Sequence, residues 1–323
     1  MLFLRVRSYG ARLPRTGMGA CLYACLLAVA FLLVFTQTLY AASCCGGSGG
    51  SSGPSSILGP LFKGRLDLSF DWEKYDGYWN ENSDIQEDPP DSDLNQYRLN
   101  LGYARRFSYS WQGYLTLPYV WNDNRYAGET TGGQGLGDMT FGVWWQTSRE
   151  WLYLGPSLLI PTGKSPYDNV ESSFDVTGRG FYRLNANVLI EKTFGQWDVS
   201  ASASYGLALE RNVNREYGRY VQPYDKQLGD VYSLGGSIAH TWDVSYGSWT
   251  GTGGLSYLKE KKASIDGRQD PTSGFQKSSG TATVAYSTED QIWTANASWN
   301  HGLAGQNFPR TDIYSVGVSY GYY

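Results

Sequence analysis

The chain has 323 residues, of which only 17% are charged while 15% are aromatic, and its 40 Gly and 26 Tyr set it apart from an average soluble domain. Its 26 Lys plus Arg against 30 Asp plus Glu give a formal net charge of −4, so the clustered cations on which nucleic-acid binding rests are missing. The four cysteines, Cys21, Cys25, Cys44 and Cys45, all lie early, which excludes a disulfide-stapled fold.

At the N-terminus, Arg5, Arg7, Arg12 and Arg15 precede an uncharged apolar run from Ala20 to Phe35, followed by the small residues Ala41, Ala42 and Ser43. This order predicts a secretory signal peptide over residues 1–43, and the apolar run is short beside the roughly 20 residues of a bilayer span. An uncleaved anchor is the other reading. Removing residues 1–43 leaves 22 Lys plus Arg against 30 Asp plus Glu, a net charge of −8. Cys44 and Cys45 open "CCGGSGG", and three readings stay open: Cys44 as a lipidated first residue, a thiolate pair for a soft metal, or an inert or oxidised pair after ordinary cleavage. Residues 44–60 read as a Gly/Ser-rich periplasmic linker.

From residue 61 to the end the chain alternates with a period of two. Phe62, Leu66, Leu68, Phe70 and Trp72 fall on one face of the first segment and Lys63, Arg65, Asp67, Ser69 and Asp71 on the other. Similar segments fall near 96–105, 110–121, 137–147, 151–161, 181–193, 196–209, 229–242, 246–259, 279–288, 291–301 and 312–323, so twelve strands are expected. In "GLGDMTFGVWWQT", Met139, Phe141, Val143 and Trp145 share the bulky face, and Trp144 is the one large apolar residue on the opposite face. Short connections alternate with long ones at 73–95, 122–136, 162–180, 210–228, 260–278 and 302–311.

That rhythm predicts a transmembrane antiparallel up-and-down β-barrel in the bacterial outer membrane, all-β, with short periplasmic turns and long extracellular loops. In hydrocarbon every backbone N–H and C=O must be paired, so a chain without helical spans crosses as closed strands. The bulky face then meets lipid, and Trp111, Tyr119, Trp121, Trp145, Trp151, Trp242, Trp249 and Trp293 are expected in interfacial girdles. A secreted β-sandwich is the competing reading, which leaves the regular loop alternation unexplained.

Residues 132–209 carry a closer likeness, in "GLGDMTFGVWW", "LGPSLLIPTGKSP" and "GFYRLNANVLIEKTFGQWDVSASASYGLAL". These stretches resemble the outer-membrane family of transporters assigned to the meta-pathway of phenol degradation. The matching features are the strand entry at Gly135, Gly137 and Asp138, the strand exit at Pro161, Thr162 and Gly163, and the strand pair that follows. The resemblance implies an outer-membrane channel for small aromatic or poorly soluble molecules. The last segment, "DIYSVGVSYGYY", resembles the C-terminal signal read by the barrel-assembly machinery, although Tyr323 falls one position out of phase and leaves Tyr322 or Tyr323 as the terminal anchor.

If the bulky face meets lipid, the other face lines a lumen: Arg65, Asp67, Arg98, Asn100, Asp138, Thr140, Arg183, Asn185, Asn187, Glu191 and Asp198. These side chains suit either a pore or an ion-pair network that fills a narrow barrel. Asp138 is expected to be structural, holding an Arg of a neighbouring strand. The acidic loop "EKYDGYWNENSDIQEDPPDSD" reads as a solvated field of carboxylates at the rim, without the ordered spacing of a calcium loop. Catalysis has little to rest on, with His240 and His301 the only histidines and neither followed two residues later by Ser, as an outer-membrane phospholipase would need. The expected partners are outer-membrane lipid, the assembly machinery and a small-molecule solute, with no nucleic acid, metal or cofactor. The alternative is a closed structural or adhesive barrel whose loops bind a partner.

Overall fold

The computed structural model describes residues 57–59, 61–167, 176–217 and 220–323. The signal segment, Cys44, Cys45 and the Gly/Ser tract lie outside these residues. The chain is all-β and, among the described residues, no helix is long and apolar enough to cross a membrane.

Twelve antiparallel strands form a continuous sheet: β1 Gly64–Trp79, β2 Asp93–Arg106, β3 Trp111–Tyr126, β4 Met139–Gln146, β5 Leu152–Ile160, β6 Arg183–Phe194, β7 Trp197–Ala208, β8 Val231–Val244, β9 Gly247–Glu260, β10 Phe275–Thr288, β11 Trp293–Gln306 and β12 Phe308–Tyr322. Neighbours in sequence are neighbours in the sheet, and β12 pairs with β1 from Gly64↔Tyr322 to Trp79↔Phe308, which closes the barrel and leaves no free edge. Each of the twelve expected segments coincides with one of these strands.

The faces separate as the alternation requires. Along β1, Leu66, Leu68 and Trp72 are exposed outside, whereas Asp67, Ser69, Asp71 and Glu73 are buried inside. On β4 Phe141 and Trp145 are exposed, and the exceptional Trp144 is 1% exposed within the barrel. Its ring stacks on Tyr114 at 6.5 Å and contacts the cluster of Ile57, Leu58 and Ala104. The bulky outer face is a lipid surface, and the inner one is a polar core.

Two aromatic girdles bound the outer face. At the periplasmic turns Trp111 stacks on Trp145, Trp197 on His240, Trp249 packs on Tyr286 and Trp293 on Tyr320. Nearer the extracellular side stand Trp72 with Tyr314, and Trp121 with Phe70, Tyr97 and Tyr119. On β3 the two girdles are ten residues apart, from Trp111 to Trp121. At about 3.4 Å per residue and a tilt of about 40°, this is a height of about 26 Å, matching an apolar band of about 25 Å.

The strands run further outward than the apolar pattern suggests. The expected loop at 73–95 begins only after Trp79, because β1 continues through Glu73 and Lys74, and β3 likewise continues to Tyr126. Beyond the girdle the outward positions become Lys74, Asp76, Asp123 and Arg125, so the contrast that marks a strand in lipid disappears. The expected long loop at 302–311 is also absent: β11 and β12 are separated by Asn307 alone, at φ +51°. Trp79 explains the Gly-rich sequence there, since a Cβ at Gly302 or Gly305 would lie 2.8 or 2.3 Å from its buried indole.

The remaining loops differ in kind. Ribbon Arg211–Tyr217 with Tyr220–Gln227 pairs onward with Ser264–Ile265 and Arg268–Gln269 as a small sheet separate from the barrel sheet. The periplasmic turn after β10 is held by Asp290, which accepts hydrogen bonds from the Thr288 hydroxyl and the Ile292 N–H. The Thr288 bond above all holds its carboxyl below the usual carboxylate range.

Candidate functional site in the barrel lumen

Inside the barrel the wall has two characters. On the β1–β2 side the polar residues are packed out of contact with water. Arg98 donates from Nη1 to Glu73 Oε2 at 2.6 Å and to Gln96 Oε1 at 2.7 Å, with Asp71 3.5 Å from its Nε. Asn100 Nδ2 donates to Asp71 Oδ2 at 2.9 Å and to Ser69 Oγ at 3.2 Å. Arg65 Nε donates to Asp67 Oδ2 at 3.0 Å, and the Ser319 hydroxyl donates to Asp67. Glu73, read above as part of an acidic loop, is 0% exposed and belongs to this network. Charges this deep are tolerated because each carboxylate meets a cation or donor; removing one partner would leave the other desolvated and unpaired.

On the opposite side the wall is lined by small hydroxyls. Ser200, Ser202 and Ser204 of β7, Thr250 and Thr252 of β9, and Thr281 and Thr283 of β10 face inward and remain half-exposed. Asn185, Asn187 and Asp198 are half-exposed as well, and Glu191 is exposed near the periplasmic mouth. Thr140 and Arg183, by contrast, are buried.

Between the walls, both ends of the connection from β5 to β6 fold inward, and the sequence motif explains how. Thr162 Oγ1 donates to Gly137 O at 2.6 Å and accepts from Met139 N at 3.1 Å. Asp138 accepts from Gly163 N at 3.2 Å and from Arg179 N at 2.6 Å. Thr177 Oγ1 donates to Leu136 O at 2.7 Å and accepts from Lys164 N at 2.9 Å. The two halves of the motif, Gly135, Gly137 and Asp138 on one side and Pro161, Thr162 and Gly163 on the other, therefore form a single latch. Glycine is required where chains touch: a Cβ on Gly163 would lie 2.8 Å from Gly178 Cα, and one on Gly178 would lie 2.2 Å from Asp138 Oδ1. Gly135 has no such constraint, its nearest neighbour lying 3.7 Å away.

Asp138 thus binds main-chain N–H groups rather than the strand arginine expected for it. The arginine side chains go elsewhere. Arg179 pairs with both oxygens of Glu260, at 2.5 and 2.7 Å, and Arg183 Nη2 donates to the same carboxylate at 3.2 Å. Above them Val231, Leu258, Phe275 and Phe308 make an apolar cluster, with Lys277 Nζ 4.9 Å from the Phe308 ring.

At the periplasmic mouth the chain before β1 enters the lumen. Arg106 donates to the carbonyls of Leu58 at 2.8 Å, Gly59 at 3.0 Å, Phe62 and Tyr109 at 3.3 Å, and Leu58 N donates to Gln112 Oε1 at 2.8 Å. Ile57 and Leu58 are buried there, so the last residues of the expected 44–60 linker are packed ones. The role of Arg106, Gln112, Arg179 and Glu260 had no signature in the sequence, whereas Trp144 announced itself by standing on the polar parity.

Both histidines stand on the outer face. His240 stacks on Trp197 at 4.4 Å, with Nδ1 3.1 Å from Gln196 O, and His301 Nδ1 lies 2.8 Å from Asp312 Oδ1. At the C-terminus Tyr322 approaches Tyr103, hydroxyl to hydroxyl at 3.1 Å, while Tyr323 stacks on Phe62 at 5.1 Å and donates to Asp290 O.

A family model described as "Putative MetA-pathway of phenol degradation" matches residues 92–317. Among solved structures, an outer membrane channel from Pseudomonas putida F1 is similar at 13% identity and a TM-score of 0.64, over 84% of this chain and 99% of that one. The β domain of the Bordetella autotransporter BrkA is similar at 13% identity and a TM-score of 0.50, over 81% and 100%. No curated protein sequence matches the chain. At such identities the structural likeness is one of fold, an outer-membrane β-barrel.

Proposed function

This chain belongs to the family whose model it matches over residues 92–317, described as "Putative MetA-pathway of phenol degradation", and from that premise we propose that it is a passive outer-membrane channel for small aromatic or hydrophobic molecules. The observation that carries this reading is the half-exposed hydroxyl wall of β7, β9 and β10, which gives solutes a wet surface beside the packed β1–β2 network. A barrel filled only by ion pairs would bury both sides alike. The inward path starts among the loops beyond Trp121 and ends at the periplasmic mouth beside Glu191 and Asp198.

In this reading residues 1–43 are removed on export, the C-terminal strand is what the assembly machinery engages, and lipid surrounds the girdles. The protein binds no cofactor and catalyses no reaction. Reconstituted into liposomes, it should admit small aromatic solutes down their gradient and give discrete single-channel steps. A folded, heat-modifiable barrel that gives neither would favour the closed barrel with adhesive loops.

A further inference from the structure

One hydrogen-bonded row around the barrel runs from Tyr114 through Gly142, Ser157, Asn185 and Gly206 to Val231 and Glu260. Along it lies a cavity lined by Tyr114, Trp144, Ser157, Arg183, Asn185 and Asn187. The atom-free space there is about 600 Å³, open solvent included.

The cavity is shaped by its residue choices. A Cβ on Gly142 would lie 2.4 Å from the Tyr114 ring, and one on Gly206 would lie 2.4 Å from Asn185 Oδ1 and 2.9 Å from Arg183 Cδ. Glycine at both places lets the tyrosine ring and the arginine stem lie flat on the wall. Ser157 Oγ holds both amides, accepting from Asn185 Nδ2 and Asn187 Nδ2 at 3.1 Å each.

Two cations, Arg179 and Arg183, meet two carboxylates there, Glu260 and Asp138, but one donor is left unanswered. Glu260 is shared by two guanidinium groups and already engaged at both oxygens by Arg179, while Asp138 is engaged by main-chain N–H groups. Arg183 is 3% exposed, and its Nε–H has no hydrogen-bond partner among the described residues. A buried donor of this kind favours an anionic acceptor of carboxylate geometry. The stacked rings of Tyr114 and Trp144 beside it favour a flat, apolar remainder.

We propose that this cavity binds a small aromatic carboxylate, its carboxylate toward Arg183 and its ring against Tyr114 and Trp144. The carboxylate sits at Arg183, and the ring extends along the two aromatic rings toward the lumen. The proposal rests on the channel reading only in calling the ligand a transported one. Carboxylates at the extracellular rim act on the rate of entry, whereas the local cation sets the binding equilibrium.

The test is calorimetric titration of the detergent-folded full-length barrel with sodium benzoate, using acetate and benzyl alcohol as probes lacking the ring or the charge. Benzoate should bind saturably, with both controls about tenfold weaker or worse. Arg183→Gln should weaken benzoate by about tenfold, and so should Asn187→Asp, which sets a repelling charge at a half-exposed position. If Arg183→Gln does not fold, Asn187→Asp decides. Absence of saturable heat, equal binding of benzyl alcohol, or unchanged benzoate binding by the folded variants overturns the proposal. Benzoate flux into liposomes separates the two readings: flux without binding removes the site and leaves the channel, and binding without flux does the reverse.

Discussion

Asp138 shows how much of a residue's role sequence can carry. Its place after Gly135 and Gly137 marked it as structural, but its partners are the N–H groups of Gly163 and Arg179, and main-chain donors leave no trace in side-chain identity. Charge-assisted bonds of this kind contribute more than neutral ones, so Asp138→Ala should lower the stability of the folded barrel by about 2 kcal/mol. The lumen should keep its shape, because Thr162, Thr177 and the Arg179–Glu260 pair still hold both ends of the loop. Urea unfolding followed by heat modifiability reads the first effect and single-channel conductance the second. A wild-type unfolding midpoint with altered conductance would reverse the assignment.

Among the elements, the twelve strands were legible because lipid outside and polar atoms inside impose a contrast at every second residue. Where that contrast ends, legibility ends too. The outer reaches of β1 and β3 carry polar or charged residues on both faces, and the Gly-rich arms around Asn307 pack on a tryptophan from the far end of β1, a contact between positions more than 200 residues apart. The inward loop ends after β5 and the segment Ile57–Gly59 are held mainly through carbonyls and amides, for which no periodicity exists. Arg106 is the main clasp of that segment. Arg106→Met keeps much of the stem while deleting the donors, so the mouth should loosen and single-channel conductance should rise while the barrel stays folded. Unchanged conductance would show that Ile57–Gly59 do not restrict the path.

For the whole molecule, closure of β12 on β1 satisfies the last strand edge, and the girdle spacing sets the closed sheet at bilayer thickness. The lumen is lopsided: ion pairs fill the side of β1 and β2, whereas half-exposed hydroxyls line β7, β9 and β10 below the second ion-pair cluster of Arg179, Arg183 and Glu260. Sequence alone gave the interior residues as a set, yet it could not say that Arg98 and Asn100 are packed whereas Asn187, Glu191 and Asp198 meet water, because parity fixes the face and not the depth of packing.

The account depends on which face of the sheet meets lipid, and β7 tests it most directly. Spin labels placed singly from Trp197 to Ala208, in reconstituted protein with the native cysteines replaced, report access to oxygen dissolved in the bilayer and to a water-soluble nickel complex. Oxygen access should peak at 199, 201, 203 and 205, and nickel access at 198, 200, 202 and 204, in opposite phase. The reverse phase, or uniform access to nickel along the whole strand, would contradict a lipid-facing sheet around a wet lumen.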